Sequence, residues 1–256
     1  MCREVLVINS VGVVVPAHNE QARIGGCLRS VRAALALLPA GIHVEVVVVL
    51  DRCRDRTPQL VATDLRTWPG ARALTISCRP AGTGVGFVRD LGVREVLRGL
   101  RASAERVWLL STDADTVVPP HWAAEQLRYA AAGAHGVAGL ADLADESELD
   151  EYTRRRYRAI VAAGMRGAAH EHLYAANLGV RADAYLRCGG FPTHGHGEER
   201  QLWTAMSASG CRLRQPSDLR VRTSARTHGR AEGGVADLLR SLQTENAPGT
   251  TSANVA

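Results

Sequence analysis

Two aspartates one residue apart, in Ser111-Thr112-Asp113-Ala114-Asp115-Thr116, follow the apolar run Val107-Trp108-Leu109-Leu110. A buried strand ending this way delivers both carboxylates to the carboxyl edge of a parallel sheet, where open α/β folds bind ligands. Side chains i and i+2 of extended chain share a side, so Asp113 and Asp115 can converge on one hard cation. A divalent ion held by few protein oxygens keeps positions for water and substrate phosphates, which suits a diphosphate leaving group. The competing reading is a cap for a helix near Pro119-Pro120, a common use of aspartate. The motif alone leaves both open.

Three other strand ends carry polar residues. Pro16-Ala17-His18-Asn19-Glu20 closes the first, where Asn19 could equally cap a helix and Glu20 serve as its first-turn acid. Asp51 leaves a second apolar run; its carboxylate can accept the imide N–H of a uracil or thymine ring, or cap a turn. Gly82-Thr83-Gly84-Val85-Gly86 precedes Phe87-Val88-Arg89, and such glycines admit a phosphate close to a helix N-terminus, with Arg89 one turn in. The spacing is not G-x-G-x-x-G and follows the third strand, which argues against a nicotinamide dinucleotide.

The elements that must position these residues alternate strand and helix. Strands are expected over residues 11–15, 44–50, 74–77 and 107–110, and helices over 21–38, from about 57, and over 86–100. Ile24, Leu28, Val31 and Leu35 recur at helical spacing, whereas 44–50 is almost wholly branched and apolar, as in a strand covered on both faces. Such alternation implies right-handed crossovers and a parallel sheet. Beyond Pro119 the expected helices are 121–132, 148–165 and 199–209, with strands at 136–140 and 174–180. The small, polar residues 244–256 read as a disordered tail.

At 256 residues, 46% hydrophobic and 22% charged, the chain has the composition of an ordinary globule with room for a full core. No apolar run is long enough to span a bilayer and the start lacks a secretory layout, so a cytoplasmic protein is expected. Six scattered cysteines without a C-x-x-C pair read as reduced structural thiols. All 31 Lys+Arg residues are arginine, so phosphate contacts must come from guanidinium groups, backbone N–H groups or metal. Arg154-Arg155-Arg156 and Arg158 adjoin an acidic run, the pattern of an ion-paired helix face, and no nucleic-acid partner is expected.

Taken in order, Val13-Val14-Val15-Pro16-Ala17-His18-Asn19-Glu20, the Asp51 loop, the Gly-rich turn with Arg89, Asp113-Ala114-Asp115 and Gly189-Gly190-Phe191-Pro192 resemble the nucleotide-sugar glycosyltransferases of family 2. The resemblance spans residues 11–240 and implies a single α/β GT-A domain over 1–243, with a nucleotide-binding half at 11–118 and an acceptor half at 119–243. It implies that Pro16, Ala17 and Glu20 line the nucleoside pocket, that Asp51 binds the base, and that Arg89 lies near base and phosphate. Asp113 would approach ribose and metal, Asp115 would ligate the metal, Mn2+ or Mg2+, directly, and Gly189-Gly190-Phe191 would floor the acceptor side. The family's Glu-Asp pair at a helix start is matched by Glu198-Glu199, which makes Glu199 the expected base. Asp90 stands where the family commonly has Asn, and Glu199 is one methylene longer than the usual Asp. Arg200 follows at once, and an adjacent guanidinium would favour ionised Glu199 and lower its basicity.

The resulting expectation is metal-assisted sugar transfer from a nucleoside-diphosphate sugar, UDP-linked, to an acceptor hydroxyl, with inversion. A base opposite the leaving group is what makes inversion follow. His228 is the best placed by chain order for the late histidine that GT-A enzymes often add to the metal, and an exposed loop histidine is the competing reading. His170-Glu171-His172 and His194-Gly195-His196 lack further ligands at metal-site spacing and read as acceptor loop. Residues 142–196 show no lipid-binding helix, so a small soluble acceptor is expected. The alternatives are a degenerate, non-catalytic nucleotide-sugar binder, for which Glu199-Arg200 leaves room, and a nucleotidyltransferase, which would release pyrophosphate.

Overall fold

The computed structural model describes residues 7–229 and 233–245. The amino-terminal half runs β1 (Ser10–Ala17), α1 (Ile24–Ala36), β2 (His43–Asp51), α2 (Thr57–Leu65), β3 (Ala71–Ile76), α3 (Val85–Gly99) and β4 (Val107–Ser111). Then follow β5 (Thr116–Val117), α4 (Trp122–Ala131), β6 (Gly136–Ala138), β7 (Leu140–Leu143), α5 (Glu151–Ala163), β8 (Met165–Arg166) and β9 (Ala169–His170). The last are β10 (Leu178–Arg181), α6 (Ala182–Arg187), α7 (Glu198–Ala208), β11 (Leu213–Arg214), β12 (Arg220–Thr223) and α8 (Val235–Glu245). Thr244 and Glu245 therefore end a helix, and the rest of the expected tail lies outside the described residues.

The main sheet has the order β11-β6-β10-β4-β1-β2-β3. It is parallel except for β10, which runs antiparallel between β4 and β6. Alternation along β1 sends Val11, Val13 and Val15 into a core shared with Ile24, Leu28 and Val31, while Val14 enters a second core with Val88, Val93 and Val96. Helices thus cover both faces, and β2 buries Val46 to Leu50 without a polar break. A second sheet, β5-β12-β7, stands beside the carboxyl ends of the central strands. A small third core joins Tyr157 on α5 to Leu239 and Leu242 on α8.

Several elements depart from expectation. The strand expected over 136–140 is divided between the two sheets as β6 and β7, because Gly139 breaks the run. The strand expected from 174 begins at Leu178, after a short 3-10 turn over Ala175–Asn177. Helices α6 and α8 and the short strands β5, β8, β9, β11 and β12 went unanticipated. The basic stretch on α5 is ion-paired as expected, Arg154 with Glu151 and Arg158 with Glu146. Among the described residues the five cysteines are free thiols, and no helix is long and apolar enough to cross a membrane.

Candidate active site

The loops after β1 and β2 are laced together by side chains from each reaching the other's backbone. Glu20 N–H donates to Thr57 Oγ1 at 2.7 Å, Gln21 N–H to Asp55 Oδ2 at 3.1 Å, and Arg54 N–H to Asn19 Oδ1 at 2.8 Å. Asn19 and Arg52 hold φ of 55° and 49°, a left-handed conformation that costs a non-glycine residue and persists only when neighbours impose it. The lacing presents Pro16, Ala17, Glu20 and Asp51 to one cavity of about 770 Å³, a volume within the range of small-molecule sites. Asp113, Asp115, Arg89, Glu198 and Glu199 line the same cavity.

Asp51 is buried and receives Arg52 Nε at 3.0 Å and Nη2 at 3.3 Å, with Arg79 Nε 3.5 Å away. A carboxylate has about four lone-pair directions, so the two Arg52 hydrogen bonds leave room for a further donor. Arg89 is fully enclosed and reaches three partners: Asp113 at 2.5 Å, Ser111 Oγ at 2.8 Å and Glu198 at 3.0 Å. It is a strut tying β4 to the start of α7, and its guanidinium contacts are spent on the protein. Glu198 is buried in that pair. Arg226, beyond β12, bridges Glu20 at 2.8 Å and Asp115 at 2.9 Å.

Glu20, Asp51, Asp113, Asp115, Glu198 and Glu199 line the cavity with Arg52, Arg79, Arg89, Arg200 and Arg226, so acids outnumber arginines there by six to five. Among the described residues Arg89 pairs with Asp113 and Glu198, and Arg226 with Glu20 and Asp115. Burial first and Asp113 second push the Asp115 carboxyl up to about 6, against the pull of Arg226. Asp115, 10% exposed, and Asp113, 34% exposed, are neighbouring oxygen donors on the cavity wall, and such a pair fits a hard divalent ion that also takes ligands from a diphosphate. Asp113 and Asp115 are the residues that would hold it. Among the described residues no third His, Cys, Asp or Glu joins them as a ready metal cluster. His228 is exposed, and its ring lies 3.3 Å from Thr227 Oγ1.

Glu199 opens α7 beside Glu198, after Gly197 at φ 71°. Burial, and next the charge of Glu198, raise its pKa above the ordinary glutamate value. The expected influence of Arg200 is corrected: Arg200 is exposed and is not among the causes of the shift. The Gly-rich turn also has another use than the one expected. A Cβ on Gly84 would collide with Gly195 O, and one on Gly86 with Pro192 O and, at 2.9 Å, with Glu198 Cβ. Gly84 N–H donates to Thr193 O at 2.9 Å, so the glycines admit the protein's own loop over 192–198.

Gly189, Gly190 and Phe191 do not line the cavity: Gly189 is exposed, Gly190 is buried, and Phe191 is 3% exposed with its N–H donated to Tyr185 Oη at 2.9 Å. His170 is buried and stacks on His172, which stacks on Tyr174. That segment is packed, and His172 and Tyr174 face the cavity. Sequence reasoning missed Arg79, Tyr157, Tyr174 and Arg226. The rule that polar residues matter at strand ends would have reached Arg79, three positions past β3. Nothing local marks Arg226, which meets Glu20 across 206 positions.

A mostly parallel sheet with flanking helices and an acidic cavity at its carboxyl edge is the architecture of the GT-A fold. The chain belongs to glycosyl transferase family 2, whose family model matches residues 12–185. It is 25% identical over 234 residues to the undecaprenyl-phosphate 4-deoxy-4-formamido-L-arabinose transferase of Pseudomonas aeruginosa, covering 91% of this chain and 62% of that protein. The chain thus spans somewhat less than two thirds of that relative. The fold is similar to the mannosyltransferase PcManGT from Pyrobaculum calidifontis in complex with GDP-Man and Mn2+ (TM-score 0.63, 22% identity, 86% of this chain and 58% of that one). It is also similar to S. aureus TarS 1-349 in complex with UDP-GlcNAc (TM-score 0.59, 18% identity, 93% and 67%).

Proposed function

We propose that this enzyme transfers a sugar from a nucleoside-diphosphate sugar, UDP-linked, to an acceptor hydroxyl with inversion at the anomeric carbon. The observation that carries the reading is the cavity in which a neighbouring aspartate pair and a separate carboxylate of raised pKa come from different elements. Mn2+ or Mg2+ on Asp113 and Asp115 would supply positive charge to offset that building on the departing diphosphate. Asp51 accepts the imide N–H of the uracil ring, held in place by Arg52 and Arg79. Glu20 and the Pro16-Ala17 backbone flank the ribose.

Glu199 takes the proton from the attacking hydroxyl at its carboxylate oxygen. Its raised pKa suits that work, because a base stronger than ordinary glutamate drives the transfer further. Glu198 pairs with Arg89 and fixes the start of α7, so the neighbouring base is held by a strut that also reaches Ser111 of β4. The degenerate-binder reading rested on Arg200 weakening Glu199, and the exposed Arg200 removes that support.

On the acceptor side the wall is built by Tyr157, Ile160 and Val161 of α5, with Leu173, Val235 and Leu238. A small hydroxyl compound with an apolar portion suits this lining. The name of the P. aeruginosa relative gives undecaprenyl phosphate as its own acceptor, which is in keeping with an apolar wall. Isothermal titration of UDP with and without Mn2+, on wild type and Asp115→Ala, tests the donor half. Metal-dependent binding is expected in wild type alone, and equal affinity in both would refute the assignment. Release of nucleoside diphosphate, and not pyrophosphate, from the sugar nucleotide tests the reaction class.

A further inference from the structure

The cation position described above is already engaged by a side chain. Arg226 Nη1 lies 2.8 and 2.9 Å from the two Glu20 oxygens, and its Nη2 lies 2.9 Å from Asp115 Oδ2. The three side chains are only 17%, 5% and 10% exposed, so this is a desolvated triad and not a surface ion pair. Its placement is built in. Thr223 pairs with Thr116 across β12 and β5, their hydroxyls meet at 3.0 Å, and Thr223 Oγ1 lies 3.5 Å from Asp115 Oδ1. That stitch sets the residues just after β12 over the aspartate turn.

We infer that Arg226 is a resident counter-ion that competes with the divalent metal for Asp115, so that the metal enters efficiently only together with the nucleoside diphosphate. This rests on the metal reading proposed above. Two buried carboxylates side by side call for positive charge between them, and Arg226 supplies it to both Glu20 and Asp115. A metal arriving alone must break the Asp115 half of that bridge and set a dication beside the guanidinium that Glu20 still holds. A metal arriving with a diphosphate brings anionic oxygens to which the displaced guanidinium can turn, forming charge-assisted hydrogen bonds of the kind arginine makes with phosphate. The exchange therefore costs little when donor is present and much when it is absent. It gives ordered, mutually dependent binding of metal and donor, a coupling between two ligands of one site.

The test reads metal uptake and needs no turnover. Free Mn2+ is followed by its electron paramagnetic resonance signal during titration of wild type, Arg226→Gln and Arg226→Lys, each with and without UDP or GDP. Without nucleotide, R226Q is expected to take up Mn2+ about tenfold or more tighter than wild type, the scale of one lost charged hydrogen bond. With nucleotide the advantage shrinks or reverses, because the variant has no guanidinium to give the diphosphate. R226K keeps the charge but presents a compact ammonium in place of the planar fork that spans Glu20 and Asp115, so it falls between the two. Melting in EDTA reports whether R226Q is folded, and if it is not, R226K against wild type decides the matter. Equal or weaker uptake of Mn2+ alone by a folded variant overturns the exchange while wild-type uptake with nucleotide leaves the metal reading standing. No uptake by any of the three, even with UDP or GDP, removes the metal reading and the exchange together.

Discussion

Glu199 shows how far residue-level inference reaches. Its position at a helix start was legible from the paired acids in Glu198-Glu199, but the sign of its pKa shift was not. Arg200 lines the cavity but is exposed, whereas burial and the charge of Glu198 dominate at Glu199. A base must be ionised to act, so the rate is expected to rise with pH along a limb lying above the glutamate reference of about 4.3. A pH profile of kcat checks this: a limb at or below that reference would contradict the raised pKa. Glu199→Gln should lower kcat by about 10²–10⁴-fold and leave UDP affinity intact, whereas parallel loss of both would make the residue structural. Asp51→Ala should weaken UDP binding by about 1–3 kcal/mol, read by calorimetry, since it removes an acceptor and leaves Arg52 and Arg79 without their partner.

Among the elements, the alternating first half was readable because each strand and helix carries its own period. Strands β1, β2 and β4 and helix α3 fall within two residues of expectation. Strands β5, β11 and β12 span two to four residues, too few for any period, and exist only because distant partners complete their ladders. The Gly-rich turn belongs here too. Its glycines signal a close approach, but only the fold says what approaches, which is the loop over 192–198. Gly86→Val should therefore push that loop off α3 and displace Glu198 from Arg89. Urea denaturation is expected to show a loss of about 1–3 kcal/mol with weakened donor binding. A variant as stable as wild type that binds UDP normally would return the glycines to the phosphate.

For the whole molecule, the nucleotide crevice is assembled from both halves, and a donor that bridges them should stabilise all of it. At ligand about 100-fold above Kd the gain is about 2.7 kcal/mol. For a chain of this size that corresponds to a rise in melting temperature of roughly 5–10 °C. A thermal-shift panel of nucleoside diphosphates and their sugars is expected to show this rise for the preferred base with Mn2+ and to lose it in EDTA. A shift of equal size without metal would argue that the guanidinium groups alone suffice.

The long reach from Glu20 to Arg226 also bears on how the protein comes into being on the ribosome. Strands β1 to β4 emerge early and can pair with one another, and Asp51 and Asp113 find Arg52 and Arg89 within the same stretch. Glu20 and Asp115 meet Arg226 only once translation has passed position 226. A contact spanning 206 positions carries a large loop-closure cost, so this corner of the pocket is expected to close late even though most of its floor is laid down first.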